Sequence, residues 1–184
     1  MDPAGFKLRV RLDSVSSERV SGIIVDEQPH RPEPSAQVTI AVANLPAPAL
    51  ELVLSRCTEA GAHAFIVFQA DRSVARGSKP ERWATICREA AMLAGRLHVP
   101  QVTHAASLDA VLARATHPVM LVRGAETLLS AVAEPRDLTL LVGPEGGWTD
   151  RELALVEPKA DLGPRNLRAD TAALVALAIV LASR

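Results

Sequence analysis

Aromatic residues are scarce in this chain of 184 residues: they make up 3% of it, and tyrosine is absent. This argues against a recognition surface built on stacked aromatic rings. Cysteine is also rare, and Cys57 and Cys87 form neither a CxxC motif nor a pair with a histidine cluster. The spacing argues against a disulfide scaffold or a zinc finger and predicts two buried thiols in a reducing compartment.

The chain also has little net charge and no long apolar run. A formal net charge of −1 argues against a strongly basic protein but leaves room for a local basic face. The longest apolar run, from Ala172 to Ala182, is about half of a membrane span, and no apolar segment of the signal-peptide type follows Met1. We therefore expect a cytoplasmic protein without a membrane segment. The five histidines are scattered, which predicts no metal site.

What is present is enough apolar sequence, 48% of the chain, to bury a core. Residues 6–12 alternate apolar and charged side chains, and residues 20–25 read as a second strand, so a β-hairpin is predicted. A hairpin of this size must pack on something else or belong to a larger β module. Residues 29–35 contain three prolines and are predicted to be a linker.

After the linker, strands and helices alternate, which predicts an α/β fold with a mainly parallel sheet covered by helices on both faces. The expected strands are residues 38–43, 64–68, 99–103, 119–122, 138–142 and 160–162, and the expected helices are residues 50–61, 83–94, 107–115, 126–133, one beginning at Thr149, and one from Ala169. A capping box of Thr149 and Glu152 marks the start of the fifth helix.

Glycine-rich loops follow three of the predicted strands, at residues 123–125, 143–148 and 163–168. In an open α/β sheet, ligands bind at the carboxyl ends of the strands. The loop at 143–147 has neither the GK[ST] ending of a P-loop nor the GxGxxG pattern of a dinucleotide site. Taken alone, it is compatible with a purely structural turn as well as with a ligand site.

Two blocks of sequence carry a family resemblance. Residues 140–148, LLVGPEGGW, and residues 162–172, LGPRNLRADTA, with Glu152 between them, resemble the signature of the RsmE family. These are SPOUT-class methyltransferases that methylate N3 of a uridine in 16S rRNA. The resemblance covers roughly residues 36–184, with further matches at 51–61, 71–74 and 95–100.

The resemblance implies a SPOUT domain at residues 36–184 with a C-terminal trefoil knot, preceded at residues 1–35 by a partial PUA-like β segment. It implies S-adenosylmethionine as cofactor, 16S rRNA of the small ribosomal subunit as substrate, and a homodimer. The cofactor would lie in the knot against three loops. The residues assigned to it are Val122, Arg123, Gly124, Val142, Gly143, Pro144, Glu145, Gly146, Gly147, Leu162, Gly163, Asn166, Leu167 and Thr171.

Candidate catalytic residues follow from the chemistry of methylating a ring nitrogen, which requires loss of the weakly acidic N3 proton. An arginine near the uracil oxygens would stabilise the developing anion, and Arg168 and Arg165 lie in a predicted ligand loop. Asp170 and Glu145 are candidate proton acceptors or positioning groups. The alternative is that these side chains pair with phosphates, with each other or with backbone N–H groups.

RNA binding requires local positive charge. Residues 72–96 hold six cationic side chains against two acidic ones. The residues expected to contact RNA are Arg72, Arg76, Lys79, Arg82 and Arg96. A solvated helix face is the alternative interpretation of this charge.

The sequence departs from the family pattern most clearly where RNA is expected to bind. Only about 35 residues precede the domain, where the family has a complete β-barrel. Residues 46–48 replace a Lys-Gly pair, residues 92–94 lack the usual acidic and amide groups, and Asn166 and Asp170 replace Ile and Glu. Two alternative functions therefore stay open: a non-catalytic SPOUT homologue that binds S-adenosylmethionine or RNA, and a methyltransferase with a different RNA substrate.

Overall fold

The computed structural model describes residues 5–132 and 137–182, which form eight strands and six helices. The strands are β1 (Phe6–Val15), β2 (Val20–Pro29), β3 (Gln37–Ala43), β4 (Ala64–Phe68), β5 (Gln101–Ala105), β6 (Pro118–Leu121), β7 (Asp137–Val142) and β8 (Lys159–Ala160). The helices are α1 (Ala47–Ala60), α2 (Pro80–Leu93), α3 (Leu108–Leu112), α4 (Leu129–Val132), α5 (Asp150–Leu153) and α6 (Ala169–Ala182). None of these described helices is long and apolar enough to cross a bilayer.

The main sheet has six parallel strands in the order β5-β4-β3-β7-β6-β8. Because side chains alternate across a strand, Val38, Ile40 and Val42 enter the core beneath α1, α2 and α6, whereas Ala41 and Ala43 face α3 and the opposite core. The predicted α/β fold with helices on both faces is confirmed. This order brings the carboxyl ends of β7, β6 and β8 side by side.

Most predicted elements are found with small shifts in their ends. The strand predicted at residues 99–103 begins instead at Gln101, because Pro100 has no N–H to donate and the N–H of His98 bonds to the carboxylate of Glu33. The helix predicted at 126–133 begins later, at Leu129, and is described as Leu129–Val132, whereas its expected last residue, Ala133, lies outside the described residues. The predicted capping box is confirmed at the start of α5, and the Ser107 hydroxyl caps α3.

The predicted hairpin is present as an antiparallel pair of strands running from Phe6 opposite Pro29 to Val15 opposite Val20. Many of its apolar side chains are exposed, including Val10, Leu12, Val20, Ile23 and Ile24. The described part of the chain therefore leaves much of the apolar surface of the hairpin uncovered.

The linker predicted at residues 29–35 corresponds to residues 30–36, which connect β2 to β3, because Pro29 still belongs to β2. This segment is tied to the main domain. The Glu33 carboxylate accepts hydrogen bonds from Arg96 at 2.6 Å and from the N–H groups of Leu97 and His98 at 2.9 and 3.0 Å. His30 Nε2 lies 2.7 Å from the carbonyl oxygen of Gly95. The Glu33 carboxylate therefore fastens this segment to the domain.

The last strand is threaded between earlier parts of the chain. On one side, Leu121 pairs with Ala160 in the ladder between β6 and β8. On the other side, the N–H of Asp161 donates to the carbonyl of Thr127, and the N–H of Leu129 donates to the carbonyl of Asp161. Residues 159–161 therefore lie between β6 and residues 127–129, the two arms of one connection. The predicted trefoil knot requires this arrangement.

Candidate functional site

Three loops meet where β6, β7 and β8 end. They are residues 122–128, 143–149 and 161–168, and together they surround a cavity of about 580 Å³. That volume falls in the usual range for small-molecule sites, about 300–1,000 Å³. The cavity lies where sequence analysis expects a ligand, at the carboxyl edge of a parallel sheet.

Most of the residues predicted to hold a cofactor line this cavity. These are Val122, Arg123, Val142, Gly143, Pro144, Glu145, Gly147, Leu162, Asn166 and Leu167. Four others lie in or beside the same loops without lining it: Gly124, Gly146, Gly163 and Thr171. The three loops are therefore brought together, although not every predicted residue reaches the cavity wall.

Not all of the candidate catalytic residues lie at the cavity. Arg165 and Arg168 line the cavity and are exposed, so both guanidinium groups are accessible to a substrate. Glu145 is also exposed on the cavity wall. Asp170 lies outside the lining, and its Oδ1 accepts a hydrogen bond of 2.7 Å from the N–H of Thr171 at the start of α6. Its assignment as a catalytic group stays a prediction.

Trp148 forms part of the cavity wall and was not predicted as a site residue. Its indole is buried, lies parallel to the ring of Phe68 at a centroid distance of 6.2 Å, and donates from Nε1 to the carbonyl of Leu121 at 2.9 Å. A Cβ on Gly143 would lie 2.8 Å from Trp148 Cε2. The glycine therefore lets the loop backbone pack directly on the indole face.

Asp161 is a second cavity residue that the sequence did not single out. Its Oδ2 accepts a hydrogen bond of 3.0 Å from the N–H of Gly124, and its Oδ1 accepts one of 2.7 Å from the N–H of Leu162. The carboxylate therefore bonds both to the loop after β6 and to the loop after β8. A lone aspartate beside a glycine loop has no distinctive spacing, so no sequence signal marks this role.

The loop after β4 buttresses the second cavity loop. The Arg72 guanidinium donates to the carbonyls of Gly146 and Trp148 at 3.2 and 3.0 Å. Asp71 accepts a bond from Thr149 Oγ1 at 2.8 Å and is paired with Arg151. The bonds donated by Arg151 and Thr149 hold the pKa of the Asp71 carboxyl below its ordinary value. Arg72, expected to contact RNA, thus has a second use in shaping the cavity.

The other expected RNA contacts have different surroundings. Arg76 and Lys79 are exposed on the loop before α2, and this loop is anchored by a 3.0 Å bond from Asn44 Nδ2 to the carbonyl of Gly77. Arg82 forms a bidentate pair with Glu51. The hydrogen bond donated by Arg82 lowers the pKa of the Glu51 carboxyl.

Arg96 is placed differently from the expectation. It is 7% exposed, and its guanidinium donates to Glu33 and to the carbonyls of Thr58 and Ala62, the latter two at 2.8 Å. A buried guanidinium with these partners cannot reach an RNA phosphate. We therefore correct this prediction: Arg96 is a structural residue that fastens residues 30–36 to the domain.

Other reactive groups do not form a second centre in the described residues. Both cysteines are buried free thiols, and burial raises the pKa of Cys57 to about 12. Within residues 5–132 and 137–182, no group of three or more His, Cys, Asp or Glu side chains is arranged to hold a metal ion. The chemistry of this part of the chain is therefore concentrated at the loop cavity.

The sheet order, the threaded last strand and the three-loop cavity define an RNA methyltransferase domain of the SPOUT type, and the family model described as RNA methyltransferase domain matches residues 31–181. Ribosomal RNA small subunit methyltransferase E of Bacillus subtilis is 34% identical in an alignment of 198 positions, gaps included, and the alignment covers 96% of this chain and 77% of the relative. The enzyme of the same name from Synechocystis is 36% identical over 169 residues, covering 84% of this chain and 55% of the relative.

A solved structure agrees with these sequence matches. The Ribosomal RNA small subunit methyltransferase E from Neisseria gonorrhoeae, bound to S-adenosyl methionine, superposes with a TM-score of 0.83 at 26% identity, covering 95% of this chain and 77% of that one. This chain belongs to the Ribosomal RNA small subunit methyltransferase E family, which is the RsmE family named from its motifs. The match to the Synechocystis enzyme spans only about half of that relative.

Proposed function

We propose that this protein is an S-adenosylmethionine-dependent methyltransferase that methylates N3 of a uridine in 16S rRNA of the small ribosomal subunit. The observation that carries the proposal is the convergence of three strand-end loops on one cavity that also presents two exposed arginines. Membership of the RsmE family supports both the cofactor and the substrate class.

The cavity fits a cofactor that has an adenine ring and a charged amino-acid tail. Its wall combines the buried indole of Trp148 and the side chains of Leu121 and Leu153 with exposed charged groups such as Glu145. Apolar walls with a few placed polar groups are typical of such sites. Bound S-adenosylmethionine would supply a methyl group activated by its positively charged sulfur.

The residues of this chain would then position the uracil and stabilise its charge. Transfer breaks the sulfur–methyl bond and forms a nitrogen–methyl bond at N3, and the N3 proton must leave to a base. The Arg168 guanidinium, with Arg165 beside it in the same loop, would stabilise negative charge on the uracil oxygens. Glu145, exposed at the cavity, is the carboxylate best placed among the candidates to receive the proton.

The RNA backbone would be bound by the loop before α2. Arg76 and Lys79 are exposed there, and Arg72 ties the base of that loop to the cavity loop through Gly146. This connection would place phosphate contacts next to the methyl-transfer site. We retain these residues as proposed RNA contacts, and Arg82 as a weaker one because Glu51 already neutralises it.

We also propose that the protein is a homodimer in the cytoplasm, where ribosomal subunits are found. The helix α6 is apolar from Ala172 to Ala182, and Leu174 and Val175 are partly exposed on it. An apolar helix that is not fully covered by its own domain supports burial against a second copy.

The test is a methyl-transfer assay on intact small subunits that lack the uridine modification. The purified protein is incubated with radiolabelled S-adenosylmethionine, and the labelled nucleotide is located by nuclease digestion and mass spectrometry. Label at N3 of a single uridine is expected, and an Arg168→Ala variant should introduce it more slowly, by about a hundredfold or more. Cofactor binding without label would favour the non-catalytic alternative, and label at another position would favour a different substrate.

A further inference from the structure

The loop after β6 has little packing to hold it in place at Gly124. This residue has a φ of +78°, and a Cβ added to it would meet nothing within 4 Å. The same holds for Gly163 in the loop after β8, where φ is +103°. Because side-chain contacts do not fix the backbone at these points, hydrogen bonds must do so.

The Asp161 side chain provides those bonds for both loops. Oδ2 accepts from the N–H of Gly124, while Oδ1 accepts from the N–H groups of Leu162 and Gly163 at 2.7 and 3.3 Å. The residue itself is held from both sides, since its N–H donates to Thr127 at 2.8 Å and its carbonyl accepts from Leu129 at 2.9 Å. The carboxylate is thus a fixed bridge between two walls of the cavity.

We propose that Asp161 is a positioning residue for the cofactor: its carboxylate holds the loop at Gly124 and the loop at Gly163 at the separation that the bound cofactor requires. The proposal rests on the proposed function, because it names what the cavity binds. It does not require Asp161 to take part in the transfer of the methyl group or the proton.

An Asp161→Asn variant keeps one hydrogen bond of the bridge and removes the other. The amide oxygen of Asp161→Asn can still accept from Leu162, but its NH₂ group cannot accept from the N–H of Gly124. The new NH₂ group and the N–H of Gly124 would then be two donors facing each other. The loop after β6 would lose its hydrogen bond to residue 161. A hydrogen bond to a charged group is strong enough that its loss should weaken binding about tenfold or more.

The experiment measures binding of S-adenosylmethionine and S-adenosylhomocysteine by calorimetry to the full chain. The variants are Asp161→Asn and, in case the facing donors disturb folding, Asp161→Ser, whose short hydroxyl keeps a local turn bond but does not reach Gly124. Glu126→Gln is the matched control, because it removes one negative charge from an exposed residue of the same loop that does not line the cavity. Hydrogen exchange at the Gly124 amide is followed without ligand.

In the Asp161 variants, the affinity for both compounds should fall similarly, by about tenfold or more. Hydrogen exchange at the Gly124 amide should be faster in these variants. The Glu126→Gln variant should behave like the wild-type protein. The KM for S-adenosylmethionine should rise while kcat at saturating cofactor changes less. A loss confined to S-adenosylmethionine would overturn the proposal, since it would indicate a charge effect on the sulfonium. Unchanged affinity in the Asp161 variants would overturn it as well. If the wild-type protein bound neither compound, the proposed function itself would fail.

Discussion

Replacing Gly143 with alanine tests whether the cavity wall is as tightly packed as the contacts indicate. The new methyl carbon would lie 2.8 Å from Trp148 Cε2, whereas carbon atoms pack at about 3.5–4.0 Å. The indole would have to retreat by about 0.7 Å or more. The indole lies parallel to the ring of Phe68 and is held at Nε1 by the carbonyl of Leu121, so its movement costs packing and weakens that hydrogen bond.

The magnitude follows from these two losses. Overpacking a core costs about 1–3 kcal/mol, and loss of a neutral hydrogen bond costs about 0.5–1.5 kcal/mol. Together they predict about 1.5–4.5 kcal/mol of lost stability, or a fall in Tm of roughly 10 °C for a chain of this size. S-adenosylhomocysteine should also bind more weakly, because Trp148 forms part of the cavity wall.

The assay is thermal unfolding together with calorimetry and the emission of Trp148, recorded in a Trp83→Phe background so that one indole remains. Gly147→Ala is the control. Its φ of +71° strains an alanine, but the added Cβ meets nothing within 4 Å. The control should therefore lose stability, by about 1–2 kcal/mol, without a shift in Trp148 emission. A Gly143→Ala protein with wild-type Tm, affinity and emission would refute the packing argument.

Three further predictions concern Arg168 in the loop after β8, the proposed RNA contacts in the loop before α2, and the attachment of residues 30–36 to the domain by Glu33. Arg168→Ala should lower kcat by about a hundredfold or more with little change in cofactor affinity measured by calorimetry; an equal fall in both would make Arg168 a binding or folding residue. Arg76→Ala combined with Lys79→Ala should weaken RNA binding and reduce the slope of log K against log salt by about 2; an unaltered slope would place the RNA face elsewhere. Burial raises the pKa of Glu33, but the bonds donated by Arg96, His98 and Leu97 outweigh it and leave the pKa below its ordinary value. The stabilisation by Glu33 is therefore present above the ordinary carboxyl pKa, about 4.3, and is lost as the pH falls through the folded value. Urea unfolding of Glu33→Gln should show a deficit at neutral pH that shrinks in acid, and a deficit independent of pH would contradict this.

The alternation of strands and helices was enough to predict the sheet and the edge at which its loops meet. The positions of Arg165 and Arg168 follow from that, because they lie in a loop after a strand whose carboxyl end is at the same edge. The contacts of Asp161 and Trp148 could not be predicted in this way. Each depends on how loops far apart in the chain approach one another, and neither residue belongs to a motif with a characteristic spacing.

Arg72 and Arg96 illustrate the same limit for charged residues. In the sequence both appear as members of one basic stretch. In the folded protein Arg72 bonds to the carbonyl of Trp148, 76 positions away, and Arg96 is buried against Glu33, 63 positions away. A count of charges cannot distinguish a guanidinium that faces solvent from one that satisfies carbonyl groups inside the fold.

The passage of residues 159–161 between β6 and residues 127–129 has a consequence for biosynthesis. The segments on both sides of this strand are made before it, because residues 118–129 precede residues 159–161 in the chain. The cofactor cavity therefore cannot be completed until residues 159–161 have taken their place between those segments, since one wall of the cavity follows this strand. Each new molecule must finish this step before the cavity can receive a cofactor.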